Sequence, residues 1–248
     1  MILLNSNRQM AAAKALAAIF VSLLACPAAS AQALSVVPVN VFFSPDQKAT
    51  SLTVTNTGTK ETAIQIRAYD WSQKDNDDQL TSSDKVVLSP PFARIAPGAT
   101  QIVRLILREP AENREATYRI LIDQIPPPAE AGVVHMVLRL SIPIFAKPQI
   151  RSFADVQFHL ERDAGQVYLV GFNAGNLHEK FHDIELSTSD GRKLKPVAGT
   201  SPYILGGATR RWHIAAQDSL PLTSETLQLT AQSDAGAINE QVRFVAAR

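Results

Sequence analysis

The sequence predicts an all-β protein built from short antiparallel strands. Apolar residues alternate with polar ones at a period of two in many short segments, which is typical of half-buried strands. Turn residues such as Gly, Pro, Asn and Asp separate these segments at intervals of about ten residues. Residues 34–150 show no sustained helical periodicity. Together these observations favour β-sandwich domains.

The composition limits the classes of function. The chain has 248 residues, enough for one large or two medium domains, and its hydrophobic content of 46% is ordinary for packed globular proteins. The net charge of +1 indicates no general attraction to nucleic acids or acidic membranes.

Residues 1–31 resemble a secretory signal. Arg8 and Lys14 supply positive charge, Ala15–Ala25 is a short apolar run, and Ala29–Ala31 is a small-residue cleavage site before the mature chain. An alternative is a lipobox that would place a lipid on Cys26. Because Cys26 is the only cysteine, cleavage at position 31 would leave neither a disulfide nor a thiolate site.

The first domain is predicted over residues 32–150. We expect its strands at Leu34–Phe43 (interrupted by Pro38), Ala49–Asn56, Thr62–Trp71, Val86–Leu88, Thr100–Arg108 and Tyr118–Ile125. The charged segment Lys74–Asp78 is predicted to be a solvated hairpin tip, because it lacks the Gly and the distal Glu of a calcium loop. Three prolines follow Ile125 and stop the last of these strands.

Val133–Phe145 is predicted to be an unusually long strand with one apolar face. Every even position is apolar. At a rise of about 3.3 Å per residue, the segment would be longer than an ordinary strand. Pro143 cannot donate a ladder hydrogen bond, which suggests an edge position. The alternation alone leaves two interpretations open. Either the apolar face lines the core of this domain, or the strand adds to the sheet of a partner.

A second, smaller β-sandwich domain is predicted over residues 151–248. The boundary is placed at Lys147–Arg151, where a proline stops the long strand. Expected strands are Val156–Leu160, Gln166–Phe172, Asp183–Ser187, Arg210–Ile214, Thr226–Thr230 and Asn239–Phe244.

Evidence for catalysis is weak. His178 and His182 form a His-Glu-x-x-His match, but zinc peptidases carry that motif on a helix, and here at most one helical turn is available before strand character resumes. No phosphate loop, dinucleotide-binding pattern or nucleophile elbow is present in the sequence. Trp71 and Trp212 are expected to be core anchors. By elimination the sequence favours a binding protein, with no cofactor and no metal.

The first domain resembles periplasmic pilus-assembly chaperones of the PapD type. The matching residues are spread over most of the domain: Phe43, Lys48–Asn56, Pro90–Gly98, Val103–Leu105, Tyr118–Pro127 and Ile142–Pro148. In the second domain Asn173–Asn176 and Leu205–Trp212 are similar to the family, and the latter resembles the archaic chaperone–usher branch.

This resemblance implies two immunoglobulin-like domains in a boomerang arrangement, located in the periplasm. A chaperone of this kind binds pilus subunits by inserting its last first-domain strand into an incomplete subunit sandwich, and delivers them to an outer-membrane usher. By position, the implied donor side chains are Val134, Met136, Leu138, Leu140 and Ile142. The alternative class is an exported β-sandwich structural subunit or adhesin.

The resemblance also implies a cationic anchor for the C-terminal carboxylate of the subunit. Well-known members use an Arg on the first strand and a Lys on the last, but this sequence has Asn40 and Pro143 at those positions. Arg119 is the first replacement candidate, because its strand should neighbour the donor strand; Lys147 and Arg94 are further candidates.

Overall fold

The computed structural model describes residues 34–128, 132, 136–214 and 226–245. The described residues form strands and no helix, which confirms the all-β class. The strands are β1 Leu34–Val37, β2 Val41–Phe43, β3 Ala49–Asn56, β4 Thr62–Lys74, β5 Asp77–Ser82, β6 Val86–Ser89, β7 Phe92–Ile95, β8 Thr100–Leu107, β9 Ala116–Ile125, β10 Arg139–Ala146, β11 Val156–Asp163, β12 Gln166–Asn173, β13 Glu179–Ser187, β14 Lys193–Leu194, β15 Tyr203–Ile204, β16 Thr209–Ile214, β17 Thr226–Ser233 and β18 Gly236–Arg243.

The strands of the first half form two facing sheets. One has the order β1-β3-β8-β6, and the other has the order β2-β10-β9-β4-β5 with β7 also paired to β4. The predicted break at Pro38 separates β1 from β2, which lie in different sheets. Alternating side chains from both sheets fill one core, and Leu52, Ile64 and Ile120 are fully buried in it.

The second half has its own sheets and core. One sheet has the order β11-β12-β16, and the other the order β14-β13-β17-β18 with β15 paired to β13. Trp212 lies in this core, as expected of a core anchor. Trp71 is also buried, but it and Phe145, both from the first half, pack against the cluster of the second half. The two aromatic residues therefore form part of a joint between the halves.

The structure confirms Lys74–Asp78 as a largely exposed hairpin tip, in which only Asn76 is half-buried. The tip is a tight turn in which Asp75 and Asn76 have positive φ, and Asn76 also bonds to the second half. The guanidinium of Arg210 donates to the backbone carbonyl of Asn76 and pairs with Asp78. The backbone N–H of Arg211 donates to Asn76 Oδ1 at 2.7 Å. The sequence could not predict the cation that binds this acidic tip, because that cation comes from a distant part of the chain.

The joint has a second contact, and it explains the His-Glu-x-x-His match. Both the backbone N–H and the ring Nδ1 of His178 lie within 2.9 Å of Oε2 of Glu115, which is in the first half. The His178 ring stacks on Phe145 with 3.4 Å between centroids. His182 is exposed on strand β13, not on a helix. The described residues contain no group of three or more His, Cys, Asp or Glu placed to hold a metal ion.

Candidate functional site

The long predicted strand is shorter in the structure. Its paired part, β10, begins at Arg139, so Met136–Leu138 precede the strand, and 133–135 lie outside the described residues. The ladder between β9 and β10 stops here because the side chain of Gln124 replaces its backbone carbonyl as a hydrogen-bond acceptor. Its backbone N–H donates to the carbonyl of Leu138, but the N–H of Leu138 is accepted by the Gln124 side chain, at 3.2 Å.

One edge of β10 is open along most of its length. Strand β9 pairs with all of β10, whereas β2 pairs on the other side with Ile144–Ala146 only. Within the described part of the chain, no strand covers that side from Arg139 to Pro143. The predicted edge position of Pro143 is thus explained by the end of β2, and the carbonyl and N–H groups before it are available for a further strand.

The predicted donor residues differ in exposure along this edge. Met136 is 87% exposed and Leu138 is 38% exposed. Leu140 is half-buried against the core of the first half, and Ile142, at 6% exposure, is part of that core. Val134 lies outside the described residues. Of the described candidates, Met136 and Leu138 are therefore the ones whose apolar side chains are offered outward, and Ile142 already serves this chain.

A charged cluster holds the start of β10. Asp123 on β9 lies opposite Arg139 and pairs with it, and Arg67 Nη2 binds the other oxygen of Asp123 at 2.6 Å. Burial acts to raise the pKa of Asp123, but its hydrogen bonds to Arg139 and Arg67 outweigh that effect and leave it below its ordinary value. The ionised carboxylate thus fixes both arginines beside the exposed residues.

Arg119 lies directly opposite Pro143 in the β9–β10 ladder. Its guanidinium carbon is 3.7 Å from the centroid of the Trp71 ring and 5.5 Å from that of Tyr203, and its side chain is 12% exposed. The first-ranked candidate anchor is therefore next to the position where the family pattern places a cation. Stacking on two aromatic rings stabilises the cation in this orientation.

Arg119 has only a shared counter-ion among the described residues. Its Nη2 is 3.6 Å from Oδ2 of Asp78, whose Oδ1 binds Arg210 Nη2 at 2.5 Å. Burial lowers the pKa of Arg119, opposed by the charges of Asp78 and Tyr203, while the positive charge of Arg210 lowers it further. Two guanidinium groups thus share one carboxylate, which leaves excess positive charge beside the open edge.

The other two candidate anchors lie elsewhere. Lys147 is exposed just after β10, where its backbone N–H donates to Phe43, and within the described residues its side chain has no ion pair. Arg94 is on β7, paired with Glu61 at 3.4 Å. The structure does not bring these two side chains together with Arg119 in any described contact.

Two residues near Arg119 were missed as parts of the site. The hydroxyl of Tyr203 donates to Oδ1 of Asn40 at 3.3 Å, and Nζ of Lys180 is 5.7 Å from the centroid of the same Tyr203 ring. Arg119 and Lys180 thus flank one tyrosine from different halves of the chain. No sequence signal links them, because the residues that meet here are far apart along the chain.

The fold and site define a class: a protein of two immunoglobulin-like sandwiches, with an open apolar strand edge beside the Arg119 cation. Residues 33–151 match the family described as "Pili and flagellar-assembly chaperone, PapD N-terminal domain". Residues 33–151 therefore form a PapD-type N-terminal domain, as in pilus-assembly chaperones. This family consists of periplasmic chaperones, which indicates an exported protein.

Curated relatives match over about half of the chain. The chain is 26% identical over 138 residues to the chaperone protein FaeE of Escherichia coli, covering 55% of this chain and 51% of that one. It is 29% identical over 106 residues to the probable fimbrial chaperone EcpB of Escherichia coli O157:H7, covering 42% and 48%. The chain thus spans about half the length of the curated relatives that it matches.

Solved structures match over both halves. The chaperone–tip subunit pre-assembly complex CsuC–CsuE, from the archaic chaperone–usher Csu pili of Acinetobacter baumannii, aligns with a TM-score of 0.64 at 20% identity. It covers 87% of this chain and 100% of the matched chain. At this identity the match shows the fold. Within the described residues no helix is long and apolar enough to cross a membrane.

Proposed function

We propose that the protein is a periplasmic chaperone that binds and stabilises pilus subunits by donor-strand complementation. The observation that carries the proposal is the open edge from Arg139 to Pro143, preceded by the exposed Met136 and Leu138, in a domain of the PapD family. A long open edge with apolar side chains is an aggregation hazard unless a partner covers it. A subunit that lacks one strand of its own sandwich is such a partner.

Donor-strand binding uses two kinds of contact. Backbone groups of the open edge add hydrogen bonds to the strand of the subunit, and alternate side chains fill its core. Met136 and Leu138 are the central donors, and Val134 continues the row by alternation. Fully burying each such side chain contributes about 1.5–3 kcal/mol. Binding energy of this kind requires neither catalysis nor a cofactor.

Arg119 is the proposed anchor for the C-terminal carboxylate of the subunit. It lies across the ladder from Pro143, at the end of the open edge, where a strand that adds to β10 would terminate. It also shares its nearest carboxylate with Arg210, so that a second anion would balance the charge. Lys180 supplies a second cation near the same Tyr203 ring, as expected for a doubled clamp. Lys147 and Arg94 remain weaker candidates.

The proposal includes the route of the protein. Residues 1–31 direct export and are removed, residues 32–150 carry the donor strand, and residues 151–248 form the second domain. Delivery of the bound subunit to an outer-membrane usher follows from membership of the family. Among the solved structures of this fold is a complex of the Salmonella enterica SafA pilin with the SafB chaperone.

Co-purification from the periplasm tests the proposal. Mass spectrometry of proteins captured with the tagged wild-type chain is expected to identify subunits with incomplete immunoglobulin-like folds. The double variant Met136→Asp with Leu138→Asp should lose them, because two charges cannot enter an apolar groove.

The matched control for this experiment is Ile102→Asp. Ile102 is also apolar, and its 58% exposure lies between those of Leu138 and Met136, but it is on β8 in the other sheet. This variant should retain the subunits. Equal recovery with the double variant, or recovery of this chain itself as a component of surface fibres, would contradict the proposal.

A further inference from the structure

Asp78 is the one described residue that forms ion pairs with both Arg119 and Arg210, and Arg210 lies in the joint between the two halves. Its Oδ2 faces Arg119 at 3.6 Å, and its Oδ1 binds Arg210 at 2.5 Å. We propose that Asp78 competes with the subunit carboxylate for Arg119, and that Arg210 sets the strength of this competition. The inference rests on the proposed role of Arg119 as the anchor.

Arg210 is built into the joint. Its side chain is 2% exposed, and besides Asp78 it donates to the carbonyl groups of Asn76 and Tyr203. The side-chain amide of Gln73 donates both to Asp78 Oδ1, at 3.1 Å, and to the carbonyl of Tyr203, at 2.9 Å. The tip of the β4–β5 hairpin is thus held rigidly in the second half, and Asp78 is held with it.

The distances determine how the charge of Asp78 is divided. The oxygen at 2.5 Å from Arg210 makes a short charge-assisted contact, whereas 3.6 Å to Arg119 is an ion pair without a hydrogen bond. Arg119 therefore remains a cation with a distant, shared counter-ion. An incoming carboxylate gains the attraction of Arg119 but is repelled by Asp78, and this repulsion is smaller the more closely Asp78 is paired with Arg210.

This arrangement predicts opposite effects for two substitutions that break the same ion pair. Asp78→Asn removes the competitor, so that the carboxylate contributes more to binding. In Arg210→Met, Arg119 is the remaining close cation of Asp78, so Asp78 competes more strongly. The carboxylate of the subunit then contributes less to binding. If Asp78 and Arg210 only held the two halves together, both substitutions would change binding in the same direction.

The test uses a defined peptide probe. An acetylated peptide of alternating Val and Thr is titrated into the full chain by calorimetry, once with a free C-terminal carboxylate and once as the C-terminal amide. The ratio of the two affinities isolates the carboxylate, because the amide peptide makes the same strand contacts. Circular dichroism and unfolding midpoints show which variants are folded, and Asp78→Ser replaces Asp78→Asn should that variant not fold.

The wild-type ratio is expected to favour the free carboxylate. Asp78→Asn should raise the ratio about threefold to fivefold and Arg210→Met should lower it by a similar factor, as for single charges in a partly exposed site. Asp77→Asn is the matched control: it removes the same charge at the neighbouring, exposed residue of β5 and should leave the ratio unchanged.

Two outcomes overturn the inference, and they are distinguishable. If the wild-type ratio is above one and falls to one in Arg119→Met, but Asp78→Asn and Arg210→Met do not move it in opposite directions, the anchor stands and the competition by Asp78 is wrong. If the wild-type ratio is one, Arg119 is not the anchor, and the inference fails with it.

Discussion

The two ends of β10 carry the same alternating pattern and have different roles. At the C-terminal end, Ile144 and Phe145 are fully buried, and β2 and β9 pair on both sides. At the N-terminal end, the edge away from β9 is open, and Met136 just before the strand is almost fully exposed. A single apolar row can therefore complete its own sandwich at one end and remain available to a partner at the other.

This difference cannot be read from side-chain chemistry, because it depends on where the neighbouring strand ends. Strand β2 is only three residues long and reaches no further than Ile144. Substitutions along β10 should consequently separate stability from binding. The following predictions test that separation, in order of decreasing effect on the free energy of unfolding.

The largest effect is expected at the buried end. Ile144→Ala should lower the free energy of unfolding by about 2–5 kcal/mol, because a fully buried Ile is replaced by a cavity. Urea unfolding followed by circular dichroism measures it. Ser141→Ala, exposed on the same strand, is the control and should change stability by less than about 0.5 kcal/mol. A small effect of Ile144→Ala would contradict the assignment of this end to the core.

The stack that supports Phe145 should have the next largest effect. His178→Ala removes a ring that lies on Phe145 and a side chain that contacts Glu115, whose carboxylate is buried. We expect a loss of about 1–3 kcal/mol, since a buried acceptor loses one partner. His182→Ala, on the same segment but exposed, should have little effect by the same urea assay. Equal effects of the two variants would show that the Glu115 contact does not stabilise the joint.

The charged cluster at the start of β10 should make a smaller, pH-dependent contribution. The pKa of Asp123 in the folded chain is below its ordinary value of 3.8. Its pairing with Arg139 and Arg67 therefore stabilises the fold fully above that ordinary value and is lost as the pH falls through the lower, folded value.

Asp123→Asn should cost about 0.2–1 kcal/mol at neutral pH, because both arginines are substantially exposed. It should also flatten the decline of stability at acid pH, measured by urea unfolding across that range. An unchanged acid profile in the variant would show that Asp123 does not contribute to it.

The smallest effect on stability is expected at the open end. Met136→Ala should change the free energy of unfolding by less than about 0.5 kcal/mol, since Met136 is 87% exposed. The same variant should weaken capture of the subunit, which co-purification measures. Loss of stability comparable to that of Ile144→Ala would mean that the two ends of the strand are not different.

Much of the fold could be predicted from local patterns. Strands β3, β4, β8 and β9 follow period-two alternation and end at turn residues, and Pro38 marks the change of sheets between β1 and β2. These features depend on neighbouring residues. The two buried tryptophans were also predictable, although only the structure shows that Trp71 packs with the second half.

The parts that were not predicted depend on residues distant in sequence. The contact between the acidic hairpin tip and Arg210 was not predicted, because Arg210 is on β16. Within the described residues, the strand expected from Val133 is paired from Arg139 onward, because the Gln124 side chain takes the ladder position next to Leu138. Of the predicted donors, Ile142 is part of this chain's own core, which alternation alone could not distinguish. The residues that surround Arg119 could likewise not be predicted from the sequence.

The short strand β2 also limits where a strand added to β10 can end. Because β2 occupies the edge of β10 from Ile144 onward, any chain that adds to the open part abuts it there. In a strand, a shift of one residue exchanges the two faces. The end of β2 therefore sets the register of a strand that adds to β10. The register in turn determines which side chains of the added strand point inward.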